Sequence, residues 1–133
     1  MLARRLALAG LAVVLAVACD STDPADDCPT TVEVSVTEGT TPSFDWAPAC
    51  RAYQVSVNDA TGPVWAMGFA FANPAKANAI LPPVAFGDSL EEGDSLAPPP
   101  PPALTAGQTY TFYLFGLNAV GQSVKMGQQS FTP

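Results

Sequence analysis

Thr109-Tyr110-Thr111-Phe112-Tyr113-Leu114-Phe115-Gly116-Leu117-Asn118 is the longest strand-forming run in the chain. Aromatic and β-branched residues fit a pleated, half-buried surface. Side chains alternate across a strand, so Tyr110, Phe112 and Leu114 share one face while Tyr113, Phe115 and Leu117 share the other. If the first set packs in a core, the second is apolar where an antiparallel sheet with one solvated side is usually polar. The run therefore predicts a strand with a candidate binding surface on its outer side.

The same period of two recurs toward the N-terminus. Val32, Val34 and Val36 alternate with Glu33, Ser35 and Thr37; Phe44 and Trp46 alternate with Ser43 and Asp45; Tyr53, Val55 and Val57 alternate with Gln54, Ser56 and Asn58. Turn chemistry separates them, at Glu38-Gly39-Thr40-Thr41-Pro42 and Asn58-Asp59-Ala60-Thr61-Gly62-Pro63. A fourth strand is expected over Val64 to Phe69, and a short fifth at Ile80-Leu81. The last are expected at Ser123 to Met126 and Ser130 to Thr132. No stretch beyond the N-terminal segment has helical spacing. Short strands between turns predict an all-β antiparallel sandwich of about seven strands. If the fourth strand pairs nearby, Trp65, Met67 and Phe69 join Tyr113, Phe115 and Leu117 in one exposed patch.

The N-terminus has a different grammar. Arg4 and Arg5 precede an apolar run from Leu6 to Ala18, and Ala16-Val17-Ala18 leads into Cys19. This is the layout of a secretory signal peptide over residues 1–18, and the run falls well short of the roughly 20 residues needed to span a bilayer. A cysteine directly after a small-residue cleavage site resembles the lipobox of bacterial lipoproteins, although Ala16 stands where that family usually has Leu. The resemblance implies cleavage before Cys19, a lipidated thiol, and a domain held by its anchor to a membrane outside the cytoplasm. Asp20 resembles an inner-membrane retention signal of enteric bacteria, a rule that does not carry across phyla, so inner and outer membrane both stay open.

Residues 19–29 then read as the lipidated cysteine and a solvated acidic tether, with Asp20, Asp23, Asp26 and Asp27. These carboxylates lack the spacing and turn glycine of a calcium loop. Beyond residue 18 only Arg51, Lys76 and Lys125 oppose all twelve carboxylates of the chain. Such a body repels nucleic acid and anionic headgroups alike. Cys28 and Cys50 remain as an even pair in an oxidising compartment, which predicts a disulfide. Closing that loop would restrict the unfolded chain by about 3 kcal/mol. The chain has no histidine, so a zinc site on these thiols is not expected, and no cofactor is either.

Leu104-Thr105-Ala106-Gly107-Gln108-Thr109-Tyr110, then Phe112, Leu114 and Asn118-Ala119-Val120-Gly121, resembles the late-strand signature of fibronectin type III domains. Phe44-Asp45-Trp46 and Tyr53-Gln54-Val55-Ser56-Val57 are similar to that family's second and third strands. The resemblance spans residues 30–133 and implies a fibronectin type III or immunoglobulin-like sandwich, with Trp46 in the core and Tyr110 anchoring a corner. Two departures stand out: the Cys28–Cys50 link, and an insertion over residues 82–103. That insertion carries Asp88, Glu91, Glu92 and Asp94 and five prolines, Pro98 to Pro102. The prolines would form a rod of about 15 Å, read here as a spacer rather than a docking element.

Catalytic motifs fail on chemistry. Gly87-Asp88-Ser89-Leu90 and Gly93-Asp94-Ser95-Leu96 are spelled like the nucleophile block of a serine esterase family, but a serine nucleophile needs a base and no histidine exists. Glu91 and Glu92, adjacent in a loop, would not hold the spacing of paired glycosidase carboxylates. The expectation is a non-catalytic module. Its candidate binding patch is Trp65, Tyr113, Phe115 and Leu117, facing an envelope protein or, alternatively, stacking on a glycan. The competing expectation is that the 82–103 insertion or the signal-proximal segment covers this face.

Overall fold

In a computed structural model, the structure describes residues 27–68, 79–90 and 101–133. These form seven strands: β1 (Glu33–Thr37), β2 (Ser43–Ala47), β3 (Gln54–Asn58), β4 (Pro63–Gly68), β5 (Val84–Ala85), β6 (Tyr110–Leu117) and β7 (Ser123–Phe131). A three-stranded sheet has the order β1-β2-β5 and a four-stranded sheet the order β4-β3-β6-β7, with every neighbouring pair antiparallel. The two sheets pack into a β-sandwich, and no helix occurs among the described residues. The signal segment, Cys19, most of the tether, Phe69, Glu91, Glu92, Asp94 and Pro98 to Pro100 lie outside them.

Alternation decides what each strand buries. Val34 pairs with Trp46 across β1 and β2, and Val36 with Phe44. Val55 and Val57 pair with Leu114 and Phe112 on the opposing sheet. Phe44 is fully buried and ties the layers together. Its ring stacks on Phe112 at 4.2 Å between centroids and meets Phe131 edge-on at 5.5 Å. A large side chain removed from water in this way contributes about 1.5–3 kcal/mol. The same core explains Trp46: the ring is buried, and its indole Nε1 donates to the Cys50 carbonyl at 2.9 Å, as a buried N–H requires.

Three strand positions differ from the sequence expectation. The fifth strand is Val84–Ala85 rather than Ile80-Leu81, so the 82–103 stretch is not wholly an insertion. Pro82 and Pro83 have no N–H, so the ladder onto β2 begins only at Val84. Ile80 instead makes a single bridge to Ala52, with N–H···O distances of 2.8 and 2.9 Å, and buries its side chain. The two C-terminal segments are one strand, β7. Gly127, Gln128 and Gln129 break the apolar alternation but not the backbone pairing with β6. The third difference, at β4, bears on the site.

The sandwich closes where β7 meets β1. The Val32 N–H donates to the Met126 carbonyl at 3.0 Å. Gly127 lets β7 approach: a Cβ there would stand 2.8–2.9 Å from the side chains of Val34 and Val32. Cys28 and Cys50 form the expected disulfide, which fastens the entering chain to the segment between β2 and β3.

Candidate functional site

Cross-strand register builds the outer face of the four-stranded sheet in rows. Ala66, Ser56, Tyr113 and Gln128 form one row; Gly68, Gln54, Phe115 and Lys125 form the next. Tyr113, Phe115 and Leu117 are half-buried on this face, as alternation predicted. The Tyr113 and Phe115 rings lie 6.3 Å apart, tilted by 31°. Lys125 Nζ stands 5.6 Å from the Tyr113 centroid and donates to Gln128 Oε1 at 2.7 Å. A cation at that distance is attracted by the ring face.

Trp65 does not belong to the patch. It pairs with Val57, which in turn pairs with Phe112, so its side chain takes the inner face. It is only 2% exposed, and Met67 is buried with it. Phase, not pairing, separates expectation from structure: β4 does pair beside the patch, but puts Ala66 and Gly68 on that face, where both are buried, as is Ser56 beside them. The indole Nε1 of Trp65 donates to the Asp88 carbonyl at 3.3 Å, and Phe86 packs against the ring at 5.6 Å. The described part of the 82–103 segment thus plugs the sandwich edge between β4 and β5.

This plug also accounts for Gly87-Asp88-Ser89-Leu90. The Asp88 carboxylate accepts from the Ala85 N–H at 2.8 Å, and Leu90 packs against the core. Each residue with a partner here serves a turn. Ser89 is exposed; Ser95 lies outside the described residues.

At the opposite end of the strands from the disulfide, a cleft of about 180 Å³ opens among Asp59, Val64, Leu104 and Tyr110. Asp59 Oδ1 accepts from the Thr61 hydroxyl at 2.6 Å, the Thr61 N–H at 2.7 Å and the Gly62 N–H at 3.1 Å. The Thr61 hydroxyl and N–H hold its carboxyl below the usual aspartate range. Tyr110 is equally committed, its hydroxyl accepting from the Thr105 N–H at 2.9 Å. The buried Tyr110 ring and this bond fasten the turn that precedes β6. Among the described residues no cluster of three potential metal ligands occurs, and no helix is long and apolar enough to cross a membrane. Comparison with protein-family models, curated proteins and solved structures finds no match for this chain.

Proposed function

We propose that the chain is a non-catalytic lipoprotein anchored through Cys19 outside the cytoplasm, and that the outer face of its four-stranded sheet engages a protein of the cell envelope. The observation that carries this reading is the placement of Tyr113, Phe115 and Leu117 on the outer face, where solvated sheets are usually polar. Both rings are half-buried, with Lys125 over one face of Tyr113, and aromatic side chains dominate the energetics of protein contacts. The strand order, the buried Trp46 and the Tyr110 corner support membership of the fibronectin type III class. The absence of histidine from the chain supports a role without catalysis.

The glycan reading keeps Tyr113 and Phe115 but loses its largest platform, because Trp65 is buried. Lys125 also lies over one face of the Tyr113 ring, where a sugar would have to stack. A protein partner is therefore the better fit. The test compares envelope extracts captured by the wild type and by Tyr113→Ser with Phe115→Ser. A band lost by the double variant at unchanged melting temperature supports the proposal; identical capture by both removes it. A rise in intrinsic fluorescence change on titration with envelope polysaccharides, abolished by the same variant, would replace it with the glycan reading.

A further inference from the structure

We infer that the Cys28–Cys50 end of the sandwich is a lipid-facing surface: the tethered domain rests on the bilayer through the Asn118–Gln122 turn, with Val120 in the interfacial layer. This rests on the anchor reading of Cys19 and adds an orientation and a contact to it.

The strand register collects several features at one end. Glu33, at the start of β1, pairs with Ala47, at the end of β2. Gln54, at the start of β3, pairs with Phe115 near the end of β6, and Leu117 pairs with Ser123 at the start of β7. The entering chain, the disulfide and the Asn118–Gln122 turn therefore share this end. All three exposed large apolar residues among those described lie here as well: Val120 at 76%, Leu81 at 38% and Val124 at 37%. Leu81 follows Ile80, which bridges Ala52, and Val124 pairs with Gly116.

Val120 is displayed by a rigid turn. Asn118 Oδ1 accepts from the Val120 N–H at 3.1 Å and the Gln122 N–H at 2.9 Å. The Gly121 N–H donates to the Asn118 carbonyl at 2.9 Å. An apolar side chain held outward in this way needs little further ordering to enter an interface.

Charge is segregated along the same axis. Among the described residues the only cations, Arg51 and Lys125, lie at or near this end, with Asp27 and Glu33 for company. The opposite end carries Glu38, Asp59 and Asp88 and no described cation. Among the described residues the far end is thus the more acidic, and an anionic surface repels it more strongly than the near end. Tether length points the same way. Cys19 and Asp27 are separated by eight residue steps, at most about 29 Å when fully extended. The nine residues of β7 make eight such steps and alone span about 27 Å. An inverted domain would need its tether almost fully stretched; an upright one needs almost none of it.

The test uses the full-length protein, purified from membranes and reconstituted into phosphatidylethanolamine–phosphatidylglycerol vesicles. A benzophenone amino acid replaces either Val120 or Thr40, an exposed residue in the turn at the far end. Intact mass first reads whether Cys19 is acylated, and illumination then traps whatever touches the probe. The expected result is an acylated chain whose lipid adduct is at least fivefold more abundant from position 120 than from position 40. An acylated chain with equal adducts overturns the orientation and leaves the anchor standing. An unacylated chain overturns both.

Discussion

Asp59 shows how much one carboxylate does in a small domain. Its Oδ1 gathers the Thr61 hydroxyl and two backbone N–H groups of the β3–β4 turn, and these bonds lower its pKa from the ordinary aspartate value. A carboxyl whose folded pKa lies below its unfolded one contributes stability above the unfolded value, about 3.9, and loses it as pH falls through the folded value. Asp59→Ala should therefore lower the melting temperature at pH 7, and the gap between variant and wild type should narrow as pH falls below the unfolded value of about 3.9. Calorimetry at a series of pH values reads this directly; a gap that is constant down to pH 2 would show that the bonds do not depend on the ionised carboxylate. The turn itself was legible, because Asn58-Asp59-Ala60-Thr61-Gly62-Pro63 is turn chemistry by composition. Tyr110 was legible through resemblance, and its hydroxyl does reach back to Thr105. Trp65 was not. Nothing in Val64 to Phe69 says which parity faces inward until the register to Val57 is known, and a slip of one residue exchanges the faces.

At the scale of strands, alternation located β1, β2, β3, β4 and β6 because each carries apolar residues on one face at least. It failed at β5 and in the middle of β7 for one reason: there, pairing is held by the backbone rather than by an apolar side-chain pattern. The β6–β7 ladder also hides a bulge, with Leu114 paired to Gly127 and Phe115 to Lys125, so Met126 is the extra residue. Its side chain folds over Gly116, whose missing Cβ leaves the room it needs; a Cβ there would collide with Met126 Cε and Sδ. Overpacking in a close-packed core costs about 1–3 kcal/mol, but Cε and Sδ are the free end of a flexible, half-buried side chain that can swing aside. Gly116→Ala should therefore destabilise by less than about 1 kcal/mol, measured by urea unfolding, and should cost still less in a Met126→Ala background. Such a double-mutant cycle isolates the contact. Equal losses in both backgrounds would mean that Gly116 is required for its backbone and not for the space it leaves.

The described residues form a small sandwich whose three-stranded sheet includes a two-residue edge strand, β5. Beside the apolar core around Phe44, the Cys28–Cys50 disulfide is a covalent source of stability. It closes a loop of 22 residues between the chain entry and the β2–β3 segment, the same segment whose Cys50 carbonyl receives the Trp46 indole. Loop-closure entropy for that separation is worth about 3 kcal/mol, a large part of what a domain of this size retains. Cys28→Ala with Cys50→Ala should therefore lower the unfolding free energy by about 2–4 kcal/mol, read from urea midpoints at unchanged slope. The fold is held by both sheets, so the far-UV spectrum of the variant below its midpoint should stay that of the wild type. Because the disulfide ties the tether to the end of the sandwich, the variant should also lose orientation before it loses structure: the domain would swing on an entry segment held beside Arg51 only by the backbone bridge from Asp27. In vesicles, lipid cross-linking from position 120 should then fall toward that from position 40 while the spectrum is unchanged. Cross-linking that keeps its preference without the disulfide would place the orienting force in the Asn118–Gln122 turn and the charge distribution alone.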